Sequence, residues 1–365
     1  MKKYRALTVP LLLALNFAST LHAQDKPPSP AIDNAQRKAV IESLAKQLQA
    51  NYVFPDVAKQ LATALASKQA KGNYASADTA DKFAKALTHD LREIGKDGHF
   101  VVGFVPDFHP PSAHAAVPDK AQFAQLRQQV ASSGFGIQRL ERLPGNVGYL
   151  EIDQFGPTEI VGAAYASAMT VLSGTDALII DLRRNGGGVP NSVANLLSYF
   201  FAEDDERHLN DIYTRKDNTT RQYWTDSSVG VRYTKPVYVL TSARTFSGGE
   251  ECAYDFQTQK RATLVGETTG GGANPGDPVE LGHGFAAFIP SGRAINPVTH
   301  TNWEHVGVKP DMAVAAAKAQ QTSYVAILHT LLANASDADQ REELKHDLAN
   351  AEKGEIDPPN YLPPK

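Results

Sequence analysis

One cysteine, Cys252, is all the thiol that 365 residues contain, beside two tryptophans and three methionines. A lone thiol closes no internal disulfide, which excludes a disulfide-stapled extracellular module. It builds no thiolate zinc site either, and the eleven histidines hold no H-E-x-x-H pair. There is no apolar run long enough to span a bilayer, no long block of like charge and no internal repeat.

What remains is ordinary globular composition, 42% apolar and 21% charged, enough for one large domain or two smaller ones. The N-terminus, MKKYRALTVPLLLALNFASTLHA, joins a basic start to a short apolar stretch that ends on the small residue Ala23. That is the pattern of a secretory signal peptide, residues 1–23, cut before Gln24. Its loss removes Lys2, Lys3 and Arg5 and no acid, so the formal charge moves from -4 to -7. A mildly acidic exported chain is a poor nucleic-acid binder. The expectation is a periplasmic or secreted protein with no membrane segment after cleavage.

A Pro-rich linker (24–34) leads into three helical patterns. Val40, Leu44 and Leu48 share one face, Val57, Leu61 and Leu65 a second, and Phe83, Leu87 and Leu91 a third. They predict a small helical lobe over 35–105. Residues 106–145 read as a connector with one amphipathic stretch. From residue 146 strands and helices alternate: VGYLEI (147–152), ALIIDLR (177–183), PVYVLT (236–241), ATLVGE (262–267) and GFAAFIP (284–290), with helices at 159–173, 191–201 and 248–258. Alternation predicts an α/β domain with a mostly parallel sheet over 146–335. The amphipathic segment SYVAILHTLLANA reads as a closing helix, and 336–365 as a tail.

Two stretches are able to carry chemistry. In IIDLRRNGGG a strand ends in Gly186-Gly187-Gly188, where backbone amides can approach a ligand. Such a turn serves a phosphate cradle, an oxyanion hole or structure alone, and it lacks the Lys-Ser/Thr ending of a P-loop. In TSARTFSGGEE, Ser247 stands at a strand-to-helix junction, the place of a nucleophile elbow. The same serine, with Glu250 three residues on, also reads as an N-cap completing a capping box. A serine nucleophile needs a base. His99 stands out: it closes the helical lobe after Asp97-Gly98 and opens the run FVVGF. His109, His114, His283, His300 and His305 lie in loops and stay open by pattern alone.

DLRRNGGG, TFSGGEE, VGETTGGGANPGD and SGRAINPVTHTNWEHVGVKPD occur in this order. Together they resemble the tail-specific, or C-terminal processing, serine peptidase family, over roughly residues 35–330. The chain is most similar to the branch holding the interphotoreceptor retinoid-binding protein repeats and the tricorn protease core. The resemblance implies a crotonase/ClpP-like α/β core behind the three-helix lobe. It implies Ser247 as nucleophile and the amides of Gly188 and Gly248 as oxyanion hole. Many members use a lysine 25 residues beyond the serine; that position here is Gly272. The tricorn-like branch takes its base from a histidine matching His99 and a carboxylate matching Glu304, with a serine before the histidine where this chain has Gly98.

The implied function is an exported serine endopeptidase acting on peptide or protein substrates, with no metal and no organic cofactor. The 40 residues of 106–145 cannot hold the peptide-gripping PDZ domain of many members, which takes ~90. Two alternatives stay open here. One is a non-catalytic carrier of a retinoid or other hydrophobic ligand. The other is an esterase or acyl hydrolase on the same core. Glu304 also reads as a loop carboxylate bridging to Arg183, Arg184 or Arg293.

Overall fold

The computed structural model describes residues 28–108 and 120–355. The stretch read as a signal peptide, the start of the linker, residues 109–119 with His109 and His114, and the last ten residues lie outside the described residues. The elements begin with α1 (Asn34–Asn51), α2 (Pro55–Ala70), α3 (Ala80–Gly95), β1 (Val101–Phe104), α4 (Lys120–Ser132), β2 (Ile137–Leu143) and β3 (Val147–Ile152). They continue with α5 (Thr158–Leu172), β4 (Ala177–Asp181), α6 (Pro190–Ser198), β5 (His208–Thr214), β6 (Thr219–Trp224), β7 (Val237–Thr241) and α7 (Gly248–Thr258). Last come β8 (Thr263–Gly266), β9 (Gly276–Gly282), β10 (Phe285–Pro290), β11 (Gly292–Ile295), β12 (Met312–Ala313), α8 (Ala316–Asn334) and α9 (Ala338–Lys353).

Two compact units form, and they do not follow the contiguous segments read along the chain. The first gathers the residues up to Gln125 with Asp211–Arg221 and Gly272–Ile295. Its helices start on local signals. Asp33 accepts the Gln36 N–H at 2.7 Å and the Gln36 side chain accepts the Asp33 N–H at 3.0 Å, a capping box worth about 1 kcal/mol. Pro55 opens α2 at a position where its missing N–H costs nothing. The stripes Val40/Leu44/Leu48, Leu61/Leu65 and Phe83/Leu87/Leu91 are fully buried. Helix α3 stops at Lys96, whose φ of 55° lies in the left-handed region and turns the chain into Asp97-Gly98-His99.

A three-stranded antiparallel sheet, order β1-β10-β9, completes this unit. Leu281, Phe285, Ala287 and Ile289 join the same apolar core as the helices. Thus GFAAFIP is a strand as predicted, but it serves the lobe. The tip of the β5–β6 ribbon pairs with β11 here, Asp211–Thr214 against Gly292–Ile295. A fragment of residues 28–125 lacks those four core side chains and the strand that pairs with β1. It is expected not to fold; a cooperative thermal transition in that fragment would contradict the assignment.

The second unit comprises Leu126–Asn210, Gln222–Gly271 and the residues from Asn296 on. Its six-stranded sheet has the order β12-β8-β7-β4-β3-β2 and is parallel except for the β2–β3 pair. β4 is buried along its whole length, so it reads as an unbroken apolar run. β2 lies in the segment read as connector; it is an edge strand with alternate exposed residues, IQRLERL. Helix α9 occupies most of the segment read as tail and buries Leu344, Leu348 and Ala351 in the core that α8 lines. Among the described residues no helix is long and apolar enough to cross a membrane.

Candidate active site

Ser247 sits between β7 and α7, in the second unit. The turn before it is tied down: the Thr245 hydroxyl donates to the Leu182 carbonyl at 2.8 Å, and the Phe246 N–H donates to the Asn185 carbonyl at 3.0 Å. Ser247 itself takes φ 52° and ψ -120°. A side chain held there costs ~1–3 kcal/mol, so the surroundings must impose it. Glu250, with no solvent exposure, does so: its carboxylate accepts the Ser247 N–H at 2.9 Å, the Gly271 N–H at 2.6 Å and the Thr269 hydroxyl. The carboxylate half of a capping box is therefore present. The amides of Glu250 and Glu251 nevertheless both reach the Ser247 carbonyl oxygen at 2.9 Å, so these first-turn donors have a backbone acceptor that does not consume the hydroxyl. Cap and nucleophile are compatible.

The glycine run lies against that turn. Asn185, fully buried, accepts the Gly187 N–H at 2.8 Å and donates to the Ile152 carbonyl at 3.0 Å. Phe155 bridges Gly188 in parallel fashion: its N–H donates to the Gly187 carbonyl and its carbonyl accepts from Val189, both at 2.8 Å. In a parallel bridge the middle residue's own amide turns the other way. Gly188, at φ 137°, has no room for a side chain, since a Cβ would overlap the Phe155 carbonyl oxygen. A Cβ on Gly248 would lie 3.0 Å from the Gly188 nitrogen, and one on Gly187 would lie 2.8 Å from the Ser247 Cβ. Ser247, Gly188 and Gly248 are thus one cluster. Among the described residues neither the Gly188 nor the Gly248 N–H has a protein acceptor. Two such donors beside a hydroxyl suit an anion that forms during acyl transfer.

Glu304 lies in the same unit, on a loop fastened to the segment that Glu250 grips. The His305 N–H donates to the Gly271 carbonyl at 2.9 Å, and the Val308 N–H donates to the Thr269 hydroxyl at 2.7 Å. Trp303, buried, packs its ring 5.4 Å from that of Tyr254 on α7. The Glu304 carboxylate stands 3.5 Å from Nδ1 of His305. Arg183 is engaged by Asp181 and Arg184 by Glu151, each through a guanidinium–carboxylate pair. Cys252 on α7 is fully buried and burial pushes its thiol up, which removes it as a rival nucleophile.

His99 belongs to the first unit. Its backbone N–H donates to Asp97 at 3.0 Å, its ring Nδ1 lies 3.5 Å from the same oxygen, and its ring stacks on Phe288 with centroids 6.2 Å apart. Asp97 is wholly buried and accepts from the Asn274 amide at 2.9 Å and the Tyr52 hydroxyl at 3.3 Å. Burial acts to raise the Asp97 carboxyl. The hydrogen bond and charge of His99, with the Asn274 amide, outweigh it and hold the group below its usual range. The sequence leaves the imidazole's support open because Gly98 stands where a serine was expected; in the structure the nearest carboxylate to the ring is that of Asp97, one residue earlier. The spacing Asp-x-His was the available signal.

Fold and turn place the chain in the α/β class with a serine at a strand-to-helix junction beside a glycine run. Its family follows from two matches: peptidase family S41 over residues 146–314, and the N-terminal domain of the S41 peptidase in eukaryotic IRBP over residues 34–138. The chain belongs to peptidase family S41. It is 28% identical over 204 residues to the carboxyl-terminal-processing protease of Synechocystis sp., covering 56% of this chain and 46% of that one. It spans less than half the length of the curated relatives it matches. Among solved structures, mature CPAF superposes with a TM-score of 0.53 at 13% identity, covering 85% of this chain and 98% of its own. The tricorn protease gives 0.50 at 14% identity, over 85% of this chain and 37% of its own. Both share the fold.

Proposed function

We propose that this protein is an exported serine endopeptidase, periplasmic or secreted, that cleaves peptide bonds through an acyl-enzyme on Ser247. His99 acts as general base and Glu304 assists it. The Ser247 oxygen attacks the scissile carbonyl carbon while its proton passes to His99. The amides of Gly188 and Gly248 donate to the resulting oxyanion. Collapse breaks the C–N bond, and His99 returns the proton to the leaving amine. Water, deprotonated by His99, then attacks the acyl carbon; the C–O bond to Ser247 breaks, His99 returns the proton to the serine oxygen, and the acid product leaves. No metal or organic cofactor enters this scheme.

The observation that carries it is the positive-φ serine beside two backbone amides that have no acceptor among the described residues. Family membership and the relatives' names as processing proteases support the substrate class. Gly272 at the lysine position directs the choice of base to a histidine. The test is a fluorophosphonate probe on the full chain followed by peptide mapping. Label on Ser247 is expected. Label on another serine, or none on folded protein, would reject the reading; the second outcome would favour the hydrophobic-ligand carrier.

A further inference from the structure

We infer that Asp97 is the positioning carboxylate of the His99 imidazole, and that Asn274 anchors it. The inference rests on the reading of His99 as general base. Asp97 has no solvent contact, and a buried carboxylate without compensation costs several kcal/mol. Three neutral donors reach it: the His99 N–H, the Asn274 amide and the Tyr52 hydroxyl. Among the described residues no lysine or arginine forms an ion pair with it. Arg92 lies within electrostatic range, yet its Nε donates to the Phe100 carbonyl at 2.8 Å. The imidazole, 3.5 Å away at Nδ1, is the group in direct contact able to carry the balancing charge.

That geometry sets the tautomer. An Asp97 oxygen facing Nδ1 favours the proton there and leaves the Nε2 lone pair to receive the serine proton. The 3.5 Å separation is at the long limit of a hydrogen bond, and such contacts tighten when substrate binds. The backbone N–H of residue 99 binds the same oxygen, a local closure that holds the ring's starting point. Asn274 lies two residues beyond Gly272, in the stretch that supplies the lysine base in dyad members. Here that stretch holds the carboxylate of a histidine base instead.

The test uses the full chain with 15N-labelled histidine. Nitrogen shifts of His99 at neutral pH are expected to show the Nδ1–H tautomer. In Asp97→Asn the new amide must turn its NH2 toward one of its former donors. The tautomer signal should move toward Nε2–H, and kcat should fall on the order of 10²–10⁴-fold with KM little changed. Unchanged nitrogen shifts together with unchanged kcat would overturn the assignment. Should Asp97→Asn not fold, Asn274→Ala keeps the carboxylate and frees it; a tautomer change of the same direction supports the inference, and none overturns it. If His99→Ala stays active while Asp97→Asn still changes the His99 tautomer, the positioning contact stands and the base assignment falls.

Discussion

Ser247→Ala should lower kcat by ~10⁶, the loss that follows removal of a serine nucleophile, and leave the fold standing. The turn does not depend on the hydroxyl. The Ser247 N–H is held by Glu250, and its carbonyl oxygen takes the amides of Glu250 and Glu251. Alanine must adopt the same positive φ as serine, so the backbone strain is nearly unchanged between the two. Initial rates on a peptide substrate, loss of fluorophosphonate labelling and a thermal melt within a few degrees of wild type are the three readouts. A folded Ser247→Ala protein with wild-type turnover would end the nucleophile assignment.

His99→Ala should cost ~10⁴–10⁶ in kcat. A histidine base must be neutral to take a proton, so log kcat/KM should rise with unit slope on the acid side in the wild type. That limb should vanish in the variant. A lysine base would place its limb elsewhere, and Gly272 removes the residue that would supply it. Stability should respond too. The depressed ionisation of Asp97 contributes stability that is present above the unfolded-state value of ~3.9 and is lost as pH falls through its lower folded value. His99 provides much of that depression, so the variant should melt lower at neutral pH and lose less on acidification. Glu304→Gln should cost less than the histidine change. Near-full activity in His99→Ala would redirect the search to His283, His300 and His305.

The helices of the lobe and the strands β3, β4, β7 and β8 were legible because each is buried on a regular stripe or along its whole length. β2, β5 and β6 were not: IQRLERL and TTRQYW keep exposed residues, HLNDIYT is half-buried, and no hydrophobic alternation marks any of them. β9 carries Asp277, Pro278 and Glu280, residue types that are depleted in strands. Ser247, Gly188 and Gly248 were found by motif, since glycine runs and a serine after a strand are visible in one dimension. Asp97, Asn274 and Tyr52 were not. Each is ordinary by itself, and only folding brings residues 177 positions apart to one carboxylate. Glu250 was seen as a helix cap. Its second role, gripping Gly271 and Thr269, depends on a loop whose path no periodicity encodes.

The discontinuous first unit sets a timetable for synthesis. Its helices are complete at Gly95, but the strand that closes their core begins about 190 residues later, at Phe285. At ~5–20 residues per second, that strand emerges roughly 10–40 s after the helices. During that interval Phe83 lacks the Phe285 ring it packs against, and the helical core lacks Leu281, Ala287 and Ile289. The N-terminal lobe is therefore made early and finished late. Its half-built apolar face is open to a holding chaperone during that time.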